Sequence, residues 1–279
     1  MGKRIFIAAF IFAVSFTAIA QSIESSLPQT ESGLKELFNA LYKTENNQIG
    51  DSLNSLISEI FYRSLTIPES FNYKWDKLDM IGKLRSSDQK LNIYTWYTRN
   101  SKGNYTYHGF IQYNTGTKKK SEIRIYSLTD KSIGMKNPET LLLSPENWLG
   151  CVYFNIYVFT YRRDTYYTLL GYHFNNDFSD KKYIEQLMFT KNGDATFGGD
   201  FQMEFQKVKR VILEYSSQLV ASIRYDEKLQ MIVFDHLSPF EYMFTGNYRF
   251  YGPDGSYDGF KFHKGEFLLQ KDVDARNLK

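Results

Sequence analysis

The run Ile232-Val233-Phe234-Asp235-His236-Leu237-Ser238-Pro239 sets an acid, an imidazole and a hydroxyl close together, the groups that nucleophilic hydrolysis uses. In an extended strand Asp235 and His236 point to opposite faces, so they cannot both serve one serine through an ordered triad. Ser238-Pro239 reads as the turn that ends the strand. Acid and base work in this part of the chain would therefore fall to Glu214, Asp235 and His236. The simpler alternative is that these side chains satisfy backbone groups at a sheet end. The other histidines add little: His108 lies within a strand, His173 closes the strand Tyr166 to Phe174, and His263 sits beside the turn Lys264-Gly265. No pair has the spacing of a zinc site, and no nucleophile elbow, phosphate-binding loop or dinucleotide fingerprint occurs.

A second constellation is Asp254-Gly255-Ser256-Tyr257-Asp258-Gly259. Asp254, Ser256 and Asp258 occupy positions 1, 3 and 5 of a calcium loop, with Gly259 at 6, because alternate oxygens converge when a chain curls around a hard cation. The pattern then breaks, since position 12 is Gly265 and Glu266 comes one place late. A structural calcium and a plain turn both remain open, and no other cofactor is expected. Asn175, Asp177 and Ser179 repeat the alternation of oxygens without the glycine.

The third candidate is aromatic. The chain holds 23 Phe, 22 Tyr and 3 Trp in 279 residues, and Tyr offers an apolar body with a polar tip. Tyr94, Trp96, Tyr105 and Tyr107 could form an exposed platform that stacks on sugar rings or grips a protein. The competing expectation is burial on both faces of the strand Asn92 to Tyr97, between sheets or between sheet and helices.

Two kinds of element must position these groups. Ser32 to Lys43 spaces Leu34, Leu37, Phe38 and Leu41 helically, and a second helix capped by Asp51 or Ser52 aligns Leu53, Leu56, Ile57, Ile60 and Phe61. From Phe71 onward the pattern becomes short strands rich in aromatic and β-branched residues, separated by turn clusters. Asn100-Ser101-Lys102-Gly103 reads as a hairpin loop, and Lys191-Asn192-Gly193-Asp194 carries an Asn-Gly pair that favours a primed turn. The expected fold is mainly β, an antiparallel β-sandwich or partly closed barrel preceded by two helices. A β-propeller is the alternative, prompted by Ile-Tyr pairs at positions 93, 125 and 156 that share no turn signature. The expected organisation is a signal peptide over 1–20, a linker and helical pair over 21–70, and an antiparallel β domain over 71–279.

Residues 1–20 begin with Lys3 and Arg4, continue through an apolar stretch and end Ala18-Ile19-Ala20, the plan of a cleavable secretory signal. An exported protein, periplasmic or secreted, is expected, with no membrane span once the signal is removed. The whole chain has 34 basic and 31 acidic residues, so loss of Lys3 and Arg4 brings the two signs almost level. The local run Lys118-Lys119-Lys120 reads as a solvated loop, and no nucleic-acid partner is expected. Cys151 is the sole cysteine, so no internal disulfide forms.

Several phrases resemble an uncharacterised family of exported Bacteroidetes proteins. They are Tyr166-Tyr167-Thr168-Leu169-Leu170-Gly171, Arg210-Val211-Ile212-Leu213-Glu214-Tyr215-Ser216, Arg224-Tyr225-Asp226-Glu227, Val233 to Pro239 and Tyr251-Gly252-Pro253-Asp254. The resemblance implies an envelope location and supplies no activity or catalytic residue. A non-catalytic module that binds an envelope protein or glycan is expected, with a hydrolase using Glu214, Asp235 and His236 as the alternative.

Overall fold

The computed structural model describes residues 26–116 and 122–275. Residues 1–20, read above as a signal peptide, and the Lys118 to Lys120 run lie outside these residues. The chain divides into two compact units, Met1–Met80 and Ile81–Lys279.

In the first unit, helix α1 (Leu27–Lys43) and helix α2 (Asn47–Leu65) pair around Leu34, Leu37, Phe38, Leu41, Leu53, Ile57, Ile60 and Phe61, all buried. Both helices begin earlier than their apolar spacing suggests. Ser26 and Gln29 form a reciprocal capping box at the start of α1, and the Asn46 side chain accepts from Ile49 N at 3.1 Å to start α2. Cap chemistry, more than the apolar stripe, thus sets where the helices start. The unit also runs past position 70. Buried Glu31 accepts from Tyr73 Oη at 2.6 Å and Lys77 N at 2.7 Å, and Trp75 packs edge-on against Phe61 and Tyr73.

The second unit is three sheets. The first is an antiparallel meander of β1 (Gly82–Arg85), β2 (Leu91–Arg99), β3 (Tyr105–Asn114) and β4 (Ile123–Thr129). A middle sheet contains β5 (Val152–Tyr161), β6 (Asp164–Phe174), β7 (Ser179–Phe189) and β11 (Arg210–Ser216), in the order β11-β7-β6-β5, with β8 (Ala195–Phe197) added on β7. The third comprises β9 (Phe201–Gln202), β10 (Lys207–Val208), β12 (Ile223–Asp226), β13 (Met231–Pro239), β14 (Tyr251–His263) and β15 (Glu266–Gln270). Its order is β10-β9-β15-β14-β13-β12, and the β15–β9 pair is its one parallel contact among the described residues. The sheets are open, so the fold is a β-sandwich with N-terminal helices, and neither a barrel nor a propeller.

The middle sheet explains much of the aromatic surplus. Tyr167 to Gly171 and Tyr183 to Leu187 are buried without interruption, as in a strand covered on both faces. Tyr167, Leu169, Tyr183 and Leu187 pack with residues of the first sheet, whereas Leu170 and Ile184 pack with Phe201, Ile232, Phe260 and Phe267 of the third. The Ile-Tyr pairs fall in β2, β4 and β5, on two different sheets, so they mark no repeat.

Two turns differ from a two-residue primed hairpin. Gly103 N and Gly193 N each bond the carbonyl three residues back, at 2.9 Å, and both glycines have positive φ, +83° and +87°. Each is the left-handed last residue of a longer loop, where glycine carries no steric cost.

Beneath one end of the middle sheet runs a buried polar chain. Trp148 Nε1 donates to Tyr153 Oη at 2.8 Å, Tyr153 Oη donates to Glu185, and Arg210 Nε meets Glu185 Oε2 at 2.9 Å. Three of the four remaining guanidinium hydrogens go to the carbonyls of Pro138, Leu141 and Phe197. Arg210 and Glu185 are both fully buried, so every hydrogen bond in this chain replaces one to water. The chain also anchors the long β4–β5 connection over the sheet.

Candidate functional site

A cleft of about 640 Å³ opens in the second unit over the end of the middle sheet. Its floor follows from strand register. His173 on β6 stands opposite Lys181 on β7, and Lys181 stands opposite Glu214 on β11. Residues directly opposite in antiparallel pairs share a face, so an imidazole, an ammonium and a carboxylate form one row. The next rows inward supply Tyr183 with Ile212 and then Glu185 with Arg210. Tyr105, Phe174, Glu139 and Tyr248 contribute walls, and Tyr248, 45% exposed, is the lining aromatic most open to solvent.

His173 is held firmly. Its Nδ1 lies 2.8 Å from Gly150 O, and its ring stacks 4.7 Å from Tyr107 and tilts 5.6 Å from Tyr183. A carbonyl can only accept, so Nδ1 carries the proton and Nε2 of the neutral ring carries the lone pair. Burial lowers the imidazole pKa and the Lys181 ammonium adds to this, while the Gly150 hydrogen bond works the other way. Gly150 has φ +64°, and a Cβ there would lie 2.4 Å from an Asp130 carboxylate oxygen. That carboxylate accepts from Tyr107 N at 3.0 Å and Ser132 N at 2.9 Å. Glycine at 150 therefore leaves room for the Asp130 carboxylate beside the residue whose carbonyl orients His173.

Glu214 is equally engaged. It accepts from Ser179 Oγ at 2.6 Å and Asn175 Nδ2 at 3.0 Å, and Lys181 Nζ lies 3.4 Å away. Asn175 and Ser179, read in sequence as alternating ligand oxygens, instead act as donors to this carboxylate. Burial raises the Tyr248 phenol pKa, and the nearby carboxylates of Glu214 and Glu139 raise it further.

The other sequence candidates lie elsewhere. Asp235 accepts from Ser222 N at 2.6 Å, and His236 Nδ1 meets Asp258 Oδ2 at 2.9 Å, so Glu214, Asp235 and His236 serve three separate sets of partners. Asp254, Ser256 and Asp258 lie within a strand and not in a separate loop. They belong to β14, which places three residues, 254–256, against the single His236 of β13. Asp254 Oδ1 accepts from Ser256 N and Oγ at 3.0 and 2.7 Å, while Asp258 Oδ1 accepts from Asp272 N at 3.1 Å. Among the described residues no group of three or more His, Cys, Asp or Glu side chains could hold a metal ion. The aromatic platform is also divided. Register puts Trp96 opposite His108 and Tyr97 opposite Tyr107, so Tyr94 and Trp96 occupy one sheet face and Tyr105 and Tyr107 the other. Tyr94, Trp96 and Tyr107 are each at most 3% exposed, and only Tyr105 reaches the cleft.

Sequence reading missed His173, Lys181, Glu139 and Tyr248 as site residues. Lys181 belongs to no motif, and the signal that finds it is the hairpin register from His173. Glu139 and Tyr248 come from connections whose paths depend on packing. Compared with known proteins, the chain matches no family model, no curated protein and no solved structure. Among the described residues no helix is long and apolar enough to cross a membrane.

Proposed function

We propose that this is an exported, non-catalytic binding module whose cleft takes a segment of an envelope glycan. The observation that carries the reading is the cleft itself: 640 Å³ of space in which Tyr105, Phe174 and Tyr248 stand beside the polar row His173, Lys181 and Glu214. Clefts of this size hold small ligands, and aromatic surface beside fixed donors and acceptors suits sugar rings. The secretory plan of residues 1–20 and the near-balanced charge of the remaining chain support a place in the envelope and argue against nucleic acid.

The test is binding of the purified protein to an array of neutral and acidic oligosaccharides, with Tyr248→Ala as the control. Selective retention that Tyr248→Ala reduces about tenfold supports the reading, the scale of one well-placed aromatic contact. A folded protein that retains no saccharide overturns it. A hydrolase is favoured by one observation, that Glu139 and Glu214 line the same cleft, because glycoside hydrolysis uses two carboxylates. New reducing ends released from a bound oligosaccharide, and lost in Glu214→Gln, would replace binding with catalysis.

A further inference from the structure

The cleft floor also carries information about the class of saccharide, an inference that rests on the cleft being the glycan site. His173 is 8% exposed and lines the cleft, and its Nδ1 is occupied by Gly150 O, so its remaining polar atom is the Nε2 acceptor. Lys181, directly opposite on the next strand, brings the donor. Opposite residues on antiparallel strands have Cα atoms roughly 4.5–5.5 Å apart, a spacing at which two side-chain tips can reach neighbouring oxygens of one ring.

The cleft holds little spare positive charge. Lys181 is balanced by Glu214 at 3.4 Å. Arg210, the other lining cation, is consumed by Glu185 and by three carbonyls. Glu139 adds a further carboxylate. An anionic sugar would therefore meet net negative charge in a partly desolvated space.

We propose that the floor reads a pair of neighbouring hydroxyls on a neutral saccharide, one donating to His173 Nε2 and the other accepting from Lys181 Nζ, and that uronic or phosphorylated sugars are disfavoured. Acid converts Nε2 from acceptor to donor, so affinity falls as His173 gains its proton. The charged and titratable groups that act on or stack against that ring are Lys181, Glu214, Asp130, Tyr107 and Tyr183. Of these, Lys181 opposes protonation, whereas Asp130 and Glu214 favour it.

The experiment is nitrogen NMR of the ¹⁵N-histidine-labelled protein, titrated with methyl glucoside, methyl mannoside and methyl glucuronide. Ring signals of Tyr105 and Tyr248 are followed in parallel. The expected result is an Nδ1-protonated His173 whose Nε2 signal moves with a neutral glycoside, with weaker or no response to the glucuronide. His173→Phe, which keeps a flat ring, should lower affinity for the neutral glycoside by about tenfold, the upper range for one hydrogen bond. A protonated Nε2 in the free protein overturns the proposal. So does tighter binding of the glucuronide, or tyrosine signals that move while Nε2 does not; in those two cases the cleft remains a glycan site. If none of the three glycosides moves any of these signals, the cleft reading and this inference fall together.

Discussion

Two histidines of this protein, His173 and His236, have surroundings that make them different devices. His173 lies in the row with Lys181 and Glu214 on the middle sheet, 8% exposed, with Nδ1 fixed by a backbone carbonyl and the ring facing a cleft. His236 lies in the third sheet with a 42% exposed side chain, its Nδ1 on Asp258 and its Nε2 3.9 Å from Asp254. The second cluster holds structure together. Asp258 also accepts from Asp272 N, Val273 N bonds Tyr257 O at 2.7 Å, and Arg224 reaches Ala275 O at 2.8 Å, so the cluster helps dock the C-terminal segment. The lesson is that an imidazole gains meaning from its neighbours, a backbone carbonyl beside a cleft in one case and two carboxylates at a β-bulge in the other.

This contrast can be broken at several points. The largest effect is expected beneath the cleft, where Arg210→Met strands a buried Glu185. It should lower stability by about 3–5 kcal/mol in urea unfolding, the usual cost of leaving one buried charge unpaired. At the bulge, Asp258→Asn weakens the bonds to His236 and Asp272 and should cost about 1–3 kcal/mol, with the C-terminal segment exchanging amide hydrogens faster. Saccharide binding should be unchanged in that variant. If it is lost, the division between a structural and a binding cluster is wrong.

Lys181→Met removes an ion pair whose members are about one-quarter and one-fifth exposed. Its stability cost should stay below about 1 kcal/mol after solvent screening. Affinity for a neutral glycoside should nevertheless fall. The gentlest probe is pH. Burial holds the His173 pKa below its ordinary value, so the unfolded chain binds that proton more readily than the folded one. The contribution is complete above about pH 6.5, the unperturbed imidazole value, and is lost as acid carries the solution down toward the folded pKa. Melting temperature against pH should therefore slope less in His173→Phe than in the wild type across that window. An unchanged slope would show that His173 does not titrate differently on folding.

Much of the architecture was legible beforehand. Alternation and turn residues identified the β-rich region, and helical spacing at Leu34, Leu37, Phe38 and Leu41 identified the first helix. The site was less legible because chemistry in a β protein is assembled across strands. Asp235 and His236 are neighbours in sequence and take different partners. His173, Lys181 and Glu214 are separated along the chain and share one row. Glu214 stands out in the sequence, but its partners are Ser179, Asn175 and Lys181 and not Asp235 or His236. The same cause split the aromatic platform: a one-residue change in register moves a side chain to the opposite face, and register is not written in residue type.

By itself the sequence determined element type, the near-balance of charge and the abundance of aromatic side chains, because these depend on local periodicity and composition. Only the tertiary structure decided that the middle sheet is covered on both faces, that the Asp254 to Asp258 segment is a bulge braced by His236, and that an open cleft lies over His173, Lys181 and Glu214. Those outcomes depend on which strands pair and in what register, set by burying the apolar faces of three sheets together, a condition that no single segment contains.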